Sequence, residues 1–355
     1  MVMRVKKHFT TENHGLSLGI IELAKRVKGK IIGDFDEGIK VTGTCGIDNY
    51  VENKVSFVKN VKYGEMLADL QSALILVPED LVELCDRYPQ NIYIVVKDLS
   101  NSMMNLQDFF YGDQLLILEE GISATAIIAE SAKIGREVYI GENAYIGENA
   151  IIGDGTKIMH NCCISGNVVI GKRTYIHPMC TCENCQIGDD CVIGPGVCIG
   201  NDGFRFEQNI ERNKVRKWLH TGGVRIGNRV QIFANSVVQR SVFEGKPTVI
   251  SDDVKIASMI VVGHNAKIGA RTVITCHTMI SGSNRIGEDV WIGAGAVLSN
   301  GVSVGDRAKI LINAVVVEDV AEDEMVSGFY AMPHKQWKRV YNKLREESKN
   351  LVVSN

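Results

Sequence analysis

Aliphatic residues recur at every sixth position through the middle of this chain. The spacing is unbroken from Ile128 to Ile176, shifts by one residue beyond Cys182, and after two interruptions runs from Ile250 to Val316. A period of six matches neither the turn of a helix nor the alternation of an ordinary strand. It is the pattern of a hexapeptide solenoid, in which each repeat is a short parallel strand and successive strands follow a triangular coil.

Two further features of the repeat support this prediction. A small or β-branched residue stands two positions before each aliphatic, as at Ala144 and Thr156, and glycine often follows the aliphatic, as in Ile140-Gly141. The small residue fits where the chain turns inward, and glycine or asparagine is expected to relieve the corner. We therefore predict a mainly β protein with a parallel β-helix over residues 120–320, interrupted by insertions at 201–223 and 239–247.

The segments on either side of the repeat have other patterns. Residues 1–14 are polar and predict a flexible N-terminus. Strand-like runs at 30–32, 41–43, 55–58, 73–77 and 92–96 alternate with short helical runs, which predicts an α/β domain over residues 15–119. In the segment 321–355, Pro333 suits a helix start, and Trp337, Val340, Tyr341 and Leu344 fall on one helix face. We expect this helix to cover the open edge of the last coil.

Composition narrows the possible functions. The 355 residues carry a net charge of -3 with lysine and arginine spread along the chain, which is not a nucleic-acid-binding footprint. No run approaches the ~20 apolar residues of a membrane span, and the polar start lacks a signal-peptide core, so we expect a cytoplasmic protein. We predict that the ten cysteines are reduced and serve as small core residues, because Cys162, Cys180 and Cys198 lie at or beside repeat positions. A metal site at Cys182-x-x-Cys185 is the alternative, although one such pair without a second is not a zinc site.

The stretch from Val55 to Tyr63 resembles the N-terminal nucleotide module of the UDP-3-O-(3-hydroxyacyl)glucosamine N-acyltransferases, hexapeptide-repeat enzymes that N-acylate the lipid A precursor. The resemblance extends over about residues 16–345. It implies a left-handed parallel β-helix, a homotrimer, and a nucleotide site in which Phe57 and Tyr63 sandwich uracil while Asn60 hydrogen-bonds its edge. A pyrimidine offers two π faces and an imide edge for such contacts. The alternative is that both aromatics are ordinary core residues.

The run Gly263-His264-Asn265 resembles the catalytic turn of the same family. The resemblance implies that His264 is the general base that takes the proton from the attacking amine, with Asn265 beside it in the substrate pocket. A base with a near-neutral pKa suits this step. The alternative is an incidental polar residue at a coil corner.

Two departures from the family pattern indicate a diverged member. Ala257 and Ser258 stand where the family has an Asp-Asn pair, whose Asp orients the imidazole. Gly301 stands where the family has a second histidine, associated with the oxyanion. Backbone N–H groups could still hold that oxyanion, and a thioester is already an activated acyl donor.

The first insertion resembles the family's long loop, which starts with Asp-Gly-Phe and has a tryptophan further on. The matching residues in this chain are Asp202, Gly203, Phe204 and Trp218. The resemblance implies that Asp202, Phe204 and Trp218 help to form the acyl and sugar pocket between subunits. A loop of this length in a regular solenoid is usually functional.

A metal site is the competing interpretation of His264, because γ-type carbonic anhydrases share this solenoid. Their zinc site needs a further histidine five residues after the first, and position 269 is glycine in this chain. We therefore predict no metal and no bound cofactor.

The sequence thus predicts an N-acyltransferase that moves an acyl group from acyl-CoA or acyl carrier protein to the amine of a UDP- or dTDP-linked amino sugar. The pathway would be that of lipopolysaccharide or another surface glycan. Acyl carrier protein is also a candidate partner for the basic C-terminal helix. The alternative is a non-catalytic β-helix scaffold that binds a nucleotide sugar.

Overall fold

The structure is a computed structural model that describes residues 15–112, 120–328 and 331–350. The chain divides into two compact units, 1–117 and 118–355. The predicted flexible N-terminus, 1–14, lies outside the described residues.

The first unit is an α/β domain. Its strands are β1 (Leu18–Gly19), β2 (Lys30–Ile32), β3 (Lys40–Val41), β4 (Val55–Phe57), β5 (Leu74–Pro78) and β6 (Ile92–Val96), and its helices are α1 (Ile20–Arg26), α2 (Val61–Gly64), α3 (Glu83–Arg87) and α4 (Leu99–Tyr111). Four strands form one sheet in the order β2-β6-β5-β4, parallel except for β2. Leu74 and Leu76 of β5 pack into one core with Leu106 of α4, while Ile75 and Val77 pack into a second core. Both faces of the sheet are covered, which confirms the α/β domain.

Helix α4 is the element of this domain that the sequence analysis missed. Asp98 caps it by accepting the N–H of Asn101 at 2.9 Å. Leu99, Met103 and Leu106 are buried on one face. The cap and the helical spacing were therefore present in the sequence.

The second unit is a β-helix with three parallel faces. Each short strand pairs with strands one coil earlier and later, usually 18 residues apart, as Tyr139 pairs with Lys157. Within the described residues the faces hold 11, 10 and 9 strands. A separate hairpin, Phe206–Gln208 and Val215–Lys217, stands in the first insertion.

Each complete coil contributes one strand to each of the three faces. The first face contains Gly121–Ile122, Tyr139–Ile140, Lys157–Ile158, Tyr175–Ile176, Val192–Ile193, Gln231–Ile232, Lys255–Ile256, Val273–Ile274, Trp291–Ile292, Lys309–Ile310 and Met325–Val326. The second contains Ile127–Ile128, Tyr145–Ile146, Cys163–Ile164, Thr181–Cys182, Cys198–Ile199, Val237–Val238, Val261–Val262, Met279–Ile280, Val297–Leu298 and Val315–Val316. The third contains Lys133–Ile134, Ile151–Ile152, Val169–Ile170, Cys185–Ile187, Val224–Ile226, Thr248–Ile250, Lys267–Ile268, Arg285–Ile286 and Ser303–Val304.

The repeat aliphatics form one continuous core along the axis of the coils. Corner residues such as Asn143 and Asn149 have φ values of 55° and 56°, a left-handed conformation that asparagine tolerates. The glycine that often follows the aliphatic serves a different purpose from the one expected. A Cβ on Gly141 would lie 2.7 Å from the backbone nitrogen of His160, so these glycines allow close stacking of coils, and the asparagines turn the corner.

The register shift near Cys182 is also explained by the coils. Cys182 is fully buried at a repeat position, and the next repeat position is filled by Ile187, five residues on instead of six. Six of the ten cysteines are buried, which confirms the core placement of Cys162 and Cys180, whereas Cys198 is half-buried and Cys276 is exposed. Hydrogen bonding to Cys185 and burial raise the pKa of Cys182 well above its ordinary value, which disfavours the thiolate that a metal requires. In the described part of the chain no group of three or more His, Cys, Asp or Glu could hold a metal ion.

The C-terminal helix α5 (His334–Asn350) starts directly after Pro333, whose carbonyl accepts the N–H groups of Gln336 and Trp337. Trp337 and Leu344 are 48% and 52% exposed. Every described side chain from 331 to 347 is exposed, so the expectation that this helix covers the last coil is wrong for the single chain. None of the described helices is long and apolar enough to cross a membrane.

Replacing an inward residue tests the core assignment. Leu298 is fully buried, whereas its strand neighbour Val297 is 39% exposed. We expect Leu298→Ala to lower the free energy of unfolding by about 2–5 kcal/mol, because it leaves a cavity between stacked coils, and Val297→Ala to lower it by about 0.5 kcal/mol or less. Chemical denaturation followed by circular dichroism measures both. Equal losses would contradict the inward placement of Leu298.

Candidate active site

His264 lies at a corner between the second and third faces of the β-helix. It follows the strand Val261–Val262 and precedes Lys267–Ile268. The chain turns at Asn265, which has φ 64° and whose N–H donates to Thr248 Oγ1 at 2.8 Å. The half-buried imidazole is therefore carried by a turn that the coil itself holds in place.

The side chain of Asn265 orients the imidazole. Its Oδ1 accepts the N–H of Val242 at 3.1 Å and its Nδ2 lies 3.4 Å from the Lys246 carbonyl oxygen, which fixes the direction of the amide. Oδ1 is also 3.0 Å from Nδ1 of His264. Because an amide oxygen can only accept, Nδ1 carries the proton and Nε2 has the free lone pair. Asn265 thus supplies the orienting contact that the family pattern gives to an Asp at position 257.

The far edge of the imidazole lies against Gly282 in the next coil. A Cβ on Gly282 would lie 2.6 Å from both Cε1 and Nε2 of His264, so any side chain there would displace the ring. At the same place in another coil, the N–H of Glu288 donates to an oxygen of Asp306 at 2.8 Å. Gly282 has no such oxygen. The backbone N–H of His264 consequently has no acceptor among the described residues and can serve a substrate oxygen.

A second histidine, His220, lies beside His264 and was missed by the sequence analysis. The two ring centroids are 5.8 Å apart in an edge-to-face arrangement. His220 is 3% exposed, its Nδ1 lies 3.2 Å from the Trp218 carbonyl oxygen, and its Nε2 has no described partner. Burial lowers the pKa of His220, although its hydrogen bond to Trp218 acts in the other direction. No motif marked this residue, because only folding brings the end of the first insertion to the His264 corner.

Gly203 closes over the two histidines. A Cβ at this position would lie 2.8 Å from Gln239 Oε1, 3.1 Å from His220 Nε2 and 3.1 Å from His264 Cδ2. A side chain at this position would therefore require Gln239 and the two imidazoles to shift. The first insertion packs directly on the candidate base, and Gln239 brings the second insertion to the same place.

Asp202 joins the two insertions. Its carboxylate accepts from Arg240 Nε at 2.6 Å and pairs with Lys217 of the hairpin. Burial opposes ionisation most strongly, but the hydrogen bonds and charges of Lys217 and Arg240 together hold the pKa of Asp202 below its usual value. The carboxylate is occupied by these cations, so in this chain Asp202 fastens the loop.

The two aromatic residues predicted for the pocket differ in their surroundings. Phe204 is 84% exposed and lies 4.8 Å from the ring of Phe206. Trp218 packs edge to face on Phe243 at 6.0 Å, with the guanidinium of Arg205 4.6 Å from its ring centroid. Trp218, from the first insertion, thus packs on Phe243 of the second insertion. Phe204 stays exposed on the outside of the first insertion.

The predicted nucleotide residues lie together at the end of β4 and the start of α2. Phe57 is the last residue of β4 and packs partly against the core, while Tyr63 is 45% exposed. Asn60 caps α2, with its Oδ1 3.4 Å from the Tyr63 N–H. A pocket of about 390 Å³ in the same unit lies elsewhere, around Tyr50 and Leu74. Tyr63 is thus not a core aromatic, and the base site stays a prediction.

Comparisons with known proteins identify the class. Residues 149–184 match a family model described as bacterial transferase hexapeptide (six repeats), and residues 283–317 match one for the hexapeptide repeat of succinyl-transferase. A crystal structure of an Arabidopsis UDP-N-acetylglucosamine acyltransferase is similar, with a TM-score of 0.53 and 23% identity over 62% of this chain and 77% of that one. This likeness concerns the fold, and it confirms a left-handed parallel β-helix. The fold and repeat define a hexapeptide-repeat transferase.

Longer sequence matches narrow the class to one family. The chain is 32% identical over 329 residues to the UDP-3-O-acylglucosamine N-acyltransferase of Herminiimonas arsenicoxydans, covering 91% of each chain. It is 36% identical over 235 residues to the protein of the same name from Rickettsia peacockii (strain Rustic), covering 66% of each. The protein belongs to the UDP-3-O-acylglucosamine N-acyltransferase family. The predicted enzyme class, an N-acyltransferase, is thereby confirmed.

Substitutions at Asn265 test its role as the residue that positions His264. We expect Asn265→Asp to retain turnover, because a carboxylate oxygen can still accept the N–H of His264 Nδ1. Asn265→Ala should lower kcat roughly 10-fold or more, since a misoriented base loses part of its effect. Asn149→Ala, at another left-handed corner with φ 56°, is the control for backbone strain. An unchanged kcat in Asn265→Ala would exclude the orienting role.

The lowered pKa of Asp202 predicts a pH-dependent contribution to stability. Ionised Asp202 stabilises the fold above its unfolded pKa of about 3.9, and this contribution is lost as the pH falls through the lower folded value. Asp202→Asn should therefore lower Tm at pH 7, and the difference from the parent protein should close below about pH 3. Glu318→Gln, an exposed site with no described ion pair, is the control. A Tm difference that persists in acid would show another cause.

Proposed function

We propose that the chain transfers an acyl group from a thioester to the amino group of a UDP-linked amino sugar, in the synthesis of lipid A or a related surface glycan. The observation that carries the proposal is the 3.0 Å contact between Asn265 Oδ1 and His264 Nδ1, which leaves Nε2 as a base. The relatives named for UDP-3-O-acylglucosamine support a sugar acceptor of this kind. A dTDP-linked amino sugar is the second candidate acceptor, since positions 257 and 301 depart from the family pattern.

In this reaction the amine nitrogen adds to the thioester carbonyl carbon while Nε2 of His264 accepts the amine proton. The carbon–sulfur bond then breaks, and the imidazolium returns the proton to the departing sulfur. Asn265 accepts from Nδ1 throughout and so stabilises the imidazolium as it forms. Burial lowers the pKa of His220, which disfavours a second positive charge beside the imidazolium of His264.

The carbonyl oxygen of the thioester becomes negatively charged when the amine adds. The N–H groups of Gly263 and Gly282 already donate to Ile280 O and Asn300 Oδ1. The N–H of His264 has no described acceptor. It is therefore the backbone donor that we assign to the oxyanion.

We assign Phe57, Asn60 and Tyr63 of the first unit to binding the pyrimidine ring of the sugar nucleotide. Phe57 and Tyr63 would contact its two faces. Because Asn60 Oδ1 is used as a helix cap, its Nδ2 is the group left to donate to a pyrimidine carbonyl. The exposed Tyr63 fits such a role better than a role in the core.

Donor and assembly belong to the same proposal. Acyl-CoA and acyl carrier protein are both candidate donors, with no bound cofactor. A homotrimer is supported by apolar side chains that the single chain leaves exposed, namely Phe204, Ile210 and Leu219 of the first insertion, at 84%, 100% and 79%. The non-catalytic alternative, a scaffold that binds nucleotide sugar, is favoured by Ala257 and Gly301 and predicts binding without turnover.

The test is mass spectrometry on a matrix of UDP- and dTDP-linked amino sugars with short and long acyl donors on CoA and on carrier protein. We expect one N-acylated sugar, and His264→Gln should reduce its rate by roughly 10²–10⁴-fold, the usual contribution of a general base. His160→Gln, at a corner of an early coil, is the matched control. Product that persists in His264→Gln would move the base elsewhere. Nucleotide binding with no product from any pair would support the scaffold.

A further inference from the structure

A groove on the third face of the β-helix concentrates positive charge. Its volume is about 570 Å³, and no described carboxylate lines it. Its cationic side chains are Arg205, Arg225, Lys246, Lys267 and Arg285. This basic groove is also lined by Asn265, the hydrogen-bond partner of His264, so it lies beside the candidate base.

Three of these cations come from one sheet. Arg225 pairs with Val249, Val249 with Lys267, and Lys267 with Arg285. Adjacent rungs are about 4.8 Å apart, so Lys267 and Arg285 are direct neighbours. Like charges at this spacing repel each other, and the row is therefore unfavourable to the fold by itself.

Other arginines of the β-helix are neutralised in a regular way. Arg173, Arg229, Arg271 and Arg307 each pair with an aspartate one coil further on. In the basic groove no cation has an ion-pair partner among the carboxylates that the structure describes, and Arg205 instead lies over the Trp218 ring. The contrast indicates that the charge of this groove is left for an anion from outside the chain.

We propose that the basic groove binds the diphosphate ester of a substrate and holds that substrate beside His264. The guanidinium groups of Arg225 and Arg285 can each present paired N–H donors to phosphate oxygens, and Lys267 adds a point charge between them. A nucleotide-linked sugar and coenzyme A both contain a diphosphate ester. The choice of these two ligands rests on the proposed function. The anion site itself rests on the charge and lining of the groove.

The experiment measures binding of UDP and of coenzyme A to the full chain by calorimetry, with inorganic pyrophosphate as competitor and turnover followed in parallel. The variant is Lys267→Ala with Arg285→Ala. Lys133→Ala, an exposed lysine at an outward position of the same sheet, is the matched control. We expect the double variant to weaken one ligand roughly 10- to 100-fold, as for a lost charge-assisted contact, and the control to bind as the parent does. A loss for UDP assigns the groove to the sugar nucleotide, and a loss for coenzyme A assigns it to the donor.

Two outcomes overturn the proposal: the double variant binds both ligands as tightly as the parent, or the parent binds neither. If the parent shows no turnover but pyrophosphate-sensitive binding is lost in the double variant, the acyltransferase proposal fails and the anion site stands. Lys267→Arg with Arg285→Lys keeps both charges and should restore binding. If circular dichroism shows that the double variant has not folded, Arg225→Ala takes its place in the binding measurements.

Discussion

Everything in the β-helix depends on the close stacking of one coil on the next. Backbone hydrogen bonds link each rung to its neighbour, and the interior has room only for one layer of aliphatic side chains per coil. Glycines such as Gly141 are required because the next backbone passes within van der Waals distance. The interior holds aliphatic side chains and a few small polar ones, such as Thr156 and Asn284, which are fully buried and out of reach of a ligand. Functional groups are therefore confined to corners, outward faces and insertions.

The candidate site follows from that confinement. His264 is on a corner, Gly282 is on the corner above it, and His220 and Gln239 arrive from the two insertions. Asp202 ties the insertions together through Lys217 and Arg240. The regular coils thus form a rigid scaffold for His264. The two insertions are held to this scaffold by ion pairs and by the close approach of Gly203, and they complete the surroundings of the imidazole.

Charge is distributed along the coils in two distinct ways. Corner arginines such as Arg271 are paired with carboxylates of the next coil, and exposed pairs of this kind add little stability each. The outward row of Lys267 and Arg285 lacks such partners within the described residues. Unpaired like charges on adjacent rungs oppose folding, so their presence next to Asn265 is better explained by ligand binding than by stability.

The sequence by itself determined the β-helix, its inward residues and the position of His264, because a six-residue period survives in one dimension and the coil translates it directly into space. It also pointed to Asp202 and Trp218, yet it did not show that Asp202 is neutralised by Arg240 and Lys217 or that Asn265 can replace the missing aspartate. His220 and the basic groove were beyond its reach. They depend on contacts between residues tens of positions apart, and only the folding of the insertions onto the stacked coils brings those residues together.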